Sequence, residues 1–175
     1  MEFKKRDIKI IILSGKARSG KDTIANKMID ILNNYNKKSI KLAYASYLKM
    51  YAKNILNWDG NEEDKPREFL QQLGVELIKN NINPKMLINR IIEDIEVYSY
   101  FYDVIIISDA RFKEEIEDIK IRYNTKVIHI LGDNNDLTEE QKNHSTEVSL
   151  DDYNNYDFEI DKYEENLDNI VRKCL

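Results

Sequence analysis

Two glycines, Gly15 and Gly20, bracket a short polar stretch, and Lys21 follows directly: Gly15-Lys16-Ala17-Arg18-Ser19-Gly20-Lys21-Asp22-Thr23. An apolar, β-branched run, Ile8 to Leu13, comes before it, and a segment with helical spacing, Thr23 to Leu32, comes after. Strand, glycine-bounded loop, lysine and helix in that order form the context a phosphate-binding loop requires. The glycines let the backbone turn tightly, so that N–H groups from Lys16, Ala17, Ser19 and Gly20 can reach phosphate oxygens. The helix that follows aims its positive N-terminal end at the same anion. Lys21 is expected to reach the β- and γ-phosphates of a nucleotide as a flexible point charge. Asp22 stands where such loops carry a Ser or Thr that ligates magnesium. A carboxylate can hold the ion directly or through water, so Asp22 is a candidate metal ligand, with Thr23 beside it.

The rest of the chain supplies the frame for this loop. Its 175 residues suit a single domain with a substantial core. The net charge of −5 leaves no global basic field to recruit nucleic acid. The single cysteine, Cys174, has no internal partner, which suits a reducing compartment. No apolar run reaches the ~18 residues of a membrane span. The charged start, Met1 to Asp7, leads into a strand instead of a cleavable signal, so a cytoplasmic protein is expected.

Further strands are expected at Ser39–Ala43, Asp103–Ser108, Lys126–Leu131 and Phe158–Ile160. Helices are expected over Ala45–Leu56, Glu62–Asn80, Pro84–Tyr98, Phe112–Tyr123 and Glu164–Lys173. The alternation predicts an α/β fold: a parallel five-stranded sheet with helices on both faces and the loop at its carboxyl edge. The helix-rich residues 45–100 can cap that edge. Residues 132–147 are polar and resemble a lid.

Arg18, inside the loop, is a catalytic candidate, because a guanidinium against the transferring phosphoryl group stabilises its spread charge. Solvated loop charge is the alternative for Arg18 and for Lys16. Ser108-Asp109-Ala110-Arg111 lies just past a strand end, the expected edge of a site. Asp109 can hold magnesium through water, orient an acceptor, or fix Arg111, whose planar fork suits a phosphate. Ser46 and Lys49 stand where an acceptor would enter, Lys49 being either a ligand or a solvated helix charge. Gln72 and Gly74 sit inside a predicted helix, where glycine marks either a close approach or a break. His129 and His144 lack the spacing of a metal pair.

With these pieces in hand, the chain resembles the bacteriophage-type deoxynucleoside monophosphate kinases, and animal phosphomevalonate kinases share part of the pattern. The resemblance rests on Leu13 to Thr23 with its Gly-Lys-Asp, Gln72 to Ile78, Ser108 to Arg111, Val127-Ile128-His129, and His144-Ser145-Thr146-Glu147 leading to Asp157–Ile160. It implies a three-layer P-loop NTPase fold and transfer of the γ-phosphoryl of ATP, with magnesium, to a (deoxy)nucleoside monophosphate. Lys21 and Arg18 would lie on the donor phosphates, Thr23 near the α-phosphate, and Asp22 near the ion. Arg111 would hold the acceptor or bridging phosphoryl group, with Asp109 supporting it and His144–Glu147 closing from the lid side. Residues 132–142 are acidic with Lys142 their only basic residue, which shifts the catalytic burden to Arg18, Arg111 and Lys16. Small nucleotides are the expected partners, with a homodimer left open. Other small phosphorylated acceptors (phosphomevalonate, dephospho-coenzyme A) and a slow nucleotide hydrolase or switch are the alternatives.

Overall fold

A computed structural model describes residues 3–132, 144–164 and 166–175. Five strands, β1 (Lys9–Ser14), β2 (Ser39–Leu42), β3 (Val104–Ala110), β4 (Asn124–Leu131) and β5 (Phe158–Asp161), form one sheet in the order β2-β3-β1-β4-β5. Every pairing is parallel, with Ile10 beside Ile105 on one side and Thr125 on the other. The helices are α1 (Lys21–Asn34), α2 (Ala45–Leu56), α3 (Arg67–Gln71), α4 (Met86–Tyr98), α5 (Lys113–Lys120), α6 (Ser145–Val148) and α7 (Leu167–Cys174). Among the described residues no helix is long and apolar enough to cross a membrane.

The near-continuous apolar runs of β1 and β3 follow from burial on both faces, because alternate side chains enter different layers. Ile10, Ile12, Ile105 and Ile107 pack with Ile91 and Ile95 of α4 and with Ile116 and Ile119 of α5. Ile11, Leu13, Val104 and Ile106 pack with Ile24 and Met28 of α1 and with Val171 of α7. The central strand thus has no solvent face, and its only outlet is the loop at its carboxyl end.

One expected helix takes a different form. The segment predicted from Glu62 starts at Arg67, and from Gln72 to Ile82 it winds as a π-helix. An α-helical stripe would bury Leu73, Leu77 and Ile78 together. The wider turn instead buries Leu73 and Ile78, five residues apart, and leaves Leu77 48 % exposed. The helix expected to reach Tyr123 ends at Lys120, and the last one starts at Leu167 instead of Glu164. Most of the lid-like segment, residues 133–143 with Lys142, lies outside the described residues.

Candidate active site

Gly15 is required by a close approach. Its φ is 140°, and an added Cβ would stand 2.5 Å from the Ile130 carbonyl oxygen on β4. Gly20, at φ 91°, turns the chain into α1, and Arg18 holds a left-handed φ of 62° between them. The loop is thereby pressed between β1, β4 and α1. Ser19 is buried within it, and its Oγ lies 3.4 Å from the Lys21 Nζ. Lys21 is the first residue of α1 and only 7 % exposed. Its Nζ donates to the carbonyls of Gly15 at 2.8 Å and Lys16 at 2.6 Å. Burial, and then the charge of Arg111, pull its pKa down to about 7, against the pull of Glu147, Asp109 and Asp22. Lys16 turns elsewhere, with its Nζ 2.6 Å from Asp151.

The end of β3 carries one residue more than the facing stretch of β1, with Ile12 opposite Ile107 but Ser14 opposite Ala110. Such a bulge, uncommon in a parallel pair, redirects side chains beside a site. Asp109, inside it, accepts the backbone N–H groups of Tyr44 at 2.8 Å and Ala45 at 2.9 Å. Both of its oxygens are therefore engaged in fixing the corner between β2 and α2. Burial pushes its pKa up, opposed by those two N–H donors and by Arg111 and Lys21. Glu115 of α5 accepts the N–H of Arg111 at 2.7 Å and of Phe112 at 3.1 Å. Desolvation raises it to about 7 despite these bonds, and the charge of Asp109 adds to the rise.

Arg111 faces the loop. Its Nη1 donates to Glu147 Oε1 at 2.7 Å and lies 3.4 Å from the Gly15 carbonyl. Glu147 Oε2 accepts the backbone N–H of Ala17, also at 2.7 Å. Asp22, more exposed, holds Lys41 at 3.0 Å and stands 3.5 Å from the Ser108 hydroxyl.

A cavity of about 670 Å³ runs from this loop to α2, α3 and the start of the π-helical segment. Arg18, Lys21, Asp22 and Thr23 line it at the loop, with Arg111 and Glu147 beside them, and Ser46, Lys49 and Gly74 line it at the cap, with Asp109 next to the start of α2. Basic side chains outnumber carboxylates along its wall, in a chain whose net charge is −5. The cavity is thus a local positive focus for anions.

Five expected residues do not line it: Gly15, Lys16 and Ser19 of the loop, and Gln72 and His144. Gln72 is exposed and bonded to Glu68, while its neighbour Gln71 faces the cavity. His144 caps α6, its Nδ1 accepting from the Thr146 N–H at 3.3 Å. Gly74 makes room for Leu48, whose Cδ1 would lie 2.9 Å from an added Cβ. Lys41, Lys65 and Arg67, which sequence reasoning passed over, line the wall. Lys49 and Lys65 share Glu62, holding its pKa down at about 2. No local motif marks Lys41, Lys65 and Arg67, since they reach the cavity from separate elements.

A family model described as deoxynucleotide monophosphate kinase matches residues 46–173. That span holds the cap, the end of β3 and α6, and begins after the phosphate loop. Two solved structures are similar across most of the chain. A gluconokinase from Sinorhizobium meliloti 1021 is 14 % identical with a TM-score of 0.44, over 98 % of this chain and 91 % of that one. A shikimate kinase from Aquifex aeolicus VF5 is 12 % identical with a TM-score of 0.47, over 94 % and 92 %. No curated protein matches the sequence.

Proposed function

This chain belongs to the deoxynucleotide monophosphate kinase family, and from that premise we propose that it transfers the γ-phosphoryl group of ATP, with magnesium, to a deoxynucleoside monophosphate. The observation that carries the reading is the shared cavity, with a phosphate loop at one end and a capped, basic pocket at the other. Such a space admits a donor and a second phosphorylated substrate side by side. The chain acts in this reading as one kinase unit, in which α2, α3 and the π-helical segment form the acceptor cap and α4, also within residues 45–100, packs on the sheet.

An oxygen of the acceptor phosphate attacks the γ-phosphorus. The bond from that phosphorus to the β,γ-bridging oxygen breaks, and the charge leaves on ADP. The attacking oxygen is already ionised at neutral pH, so catalysis is alignment and charge stabilisation and needs no general base. Lys21, Arg18 and the loop N–H groups hold the donor phosphates. The Arg111 fork meets the phosphoryl group between donor and acceptor. Asp109 keeps the Tyr44–Ala45 corner in place, and with it the start of α2, where Ser46 and Lys49 face the acceptor. Lys65, Arg67 and Gln71 complete the acceptor wall.

Among the described residues, the Asp22 carboxylate beside the loop is the one that fits magnesium. Among the described residues no cluster of three or more His, Cys, Asp or Glu could cage a metal, which suits an ion held mainly by donor phosphates and water. Asp22 offers an exposed carboxylate beside the loop, whereas both oxygens of Asp109 hold backbone N–H groups. We therefore assign the ion to Asp22, directly or through water. When bound, it would neutralise charge on the β- and γ-phosphate oxygens.

The test is ADP release from ATP and magnesium with a panel of ribo- and deoxyribonucleoside monophosphates, phosphomevalonate and dephospho-coenzyme A. Stimulation by one or a few deoxynucleotides is expected. Stimulation only by a non-nucleotide would move the acceptor, and release that no acceptor stimulates would replace the kinase by a hydrolase.

A further inference from the structure

Glu147 occupies an unusual place. Its side chain is 5 % exposed, and it joins the two anion-binding elements of the site. One oxygen takes a loop N–H from Ala17, and the other takes the Arg111 guanidinium, each at 2.7 Å. Loop N–H groups and an arginine fork are the donors a phosphoryl oxygen seeks. The carboxylate lines the cavity directly beside the loop, against Ala17 and Arg111, where the proposed reaction puts the transferred group. Lys21 meanwhile turns its ammonium onto the loop's own carbonyls.

We propose that Glu147 is a placeholder for the transferred phosphoryl group: it fills that group's anion site until the γ-phosphate of the donor displaces it. The inference rests on the proposed kinase reading and deepens it, because it makes Glu147 a positioning residue for Arg111. With no anion between them, two cations, the buried Lys21 and the partly buried Arg111, would repel each other at the loop. Arg111 does pull the Lys21 ammonium down, and Glu147 heads the carboxylates that push it back up. The carboxylate therefore keeps Arg111 folded against the loop, near the position in which it meets substrate.

Displacement has a consequence for affinity. A triphosphate must take Ala17 and Arg111 from Glu147, so part of its interaction energy goes to the exchange. A diphosphate ends short of this position and leaves Glu147 where it is. Loss of the charge on Glu147 should therefore favour the triphosphate alone.

The test is calorimetric titration of wild type and Glu147→Gln with ADP and with the non-hydrolysable β,γ-imido analogue of ATP, both with magnesium. The glutamine is isosteric but neutral. It should bind the analogue roughly tenfold more tightly, as a charge-assisted pair gives way to neutral hydrogen bonds, and ADP within about twofold of wild type. Equal or weaker binding of the analogue would overturn the proposal and make Glu147 a brace of the loaded loop. Should the variant fail to fold, hydrogen exchange on wild type decides. Exchange over residues 144–149 should rise with the analogue and not with ADP, and no rise would overturn the proposal. Wild type that binds neither nucleotide would overturn the kinase reading as well. Wild type that transfers phosphate while Glu147→Gln binds no tighter would overturn this inference alone.

Discussion

The phosphate loop and the acceptor cap hold opposite ends of one cavity and are built in opposite ways. The loop is six consecutive residues, Gly15 to Gly20, between the central strand and α1, gripped by β4 so closely that Gly15 admits no side chain. The cap is assembled from α2, α3 and the π-helical segment, and hangs on the sheet through contacts such as those of Asp109 with Tyr44 and Ala45. Around the cap, cations such as Lys49 and Lys65 are held by an exposed acid, Glu62. At the loop, Lys21 is buried against backbone carbonyls. In the proposed reading the loop meets phosphate, which every donor carries, through close-packed backbone and a buried lysine. The cap would meet one acceptor through cations whose present pairs are exposed to water, and such pairs are weak and easily exchanged.

If this contrast holds, Lys21→Ala should have the largest effect of any single change and should act on turnover. Loss of its charge from the donor phosphates should lower kcat by roughly 10²–10³-fold, about 3–4 kcal/mol of transition-state stabilisation, by analogy with oxyanion donors. Steady-state kinetics on the folded variant checks it, and wild-type turnover would remove the loop from catalysis. Asp109→Ala should act on the joint between the regions. It leaves the Tyr44 and Ala45 N–H groups without their partner and should cost about 1–3 kcal/mol in urea denaturation. An unchanged midpoint would mean that the cap does not hang on this contact.

Glu115 sharpens the same joint through pH. Its folded-state pKa of about 7 stands above its ordinary 4.5, mainly because burial disfavours the charged form. The stability it contributes is therefore full below about pH 4.5 and is lost as the pH rises through about 7. Thermal melts of wild type should show this fall, and Glu115→Gln should flatten it. Melts of identical slope would remove Glu115 from the account. The smallest effect belongs to the cap alone. Gln71→Ala should raise the acceptor KM by roughly fivefold, about 1 kcal/mol for one lost hydrogen bond, with kcat kept. Gln72→Ala, one residue away and exposed, should stay within about 0.5 kcal/mol of wild type by the same measure.

That pair shows how far the sequence could be read. The family resemblance over Gln72 to Ile78 points to Gln72, whereas Gln71 lines the cavity, because the segment widens into a π-helix at Gln72 and changes which residues face inward. The same widening turned Leu77 out to solvent. The strands were legible, since β1 and β3 are apolar on both faces. Ser108 to Arg111 was legible as a strand end facing the site. The bulge that aims Asp109 at backbone N–H groups was not, because it depends on register with β1.

By itself the sequence determined what lies within a few residues along the chain. It set the glycines where a left-handed φ or a close approach is needed, the lysine after them, and the alternation of strands and helices that brings the loop to the sheet's carboxyl edge. Only the tertiary structure decided which distant charges meet. Ala17 and Glu147 stand 130 residues apart and share a hydrogen bond, and Arg111 reaches the same carboxylate from a third element. Local chemistry follows from backbone preferences and spacing, which the residues carry with them. A long-range pair follows from packing two layers onto one sheet, and no residue encodes that by its own spacing.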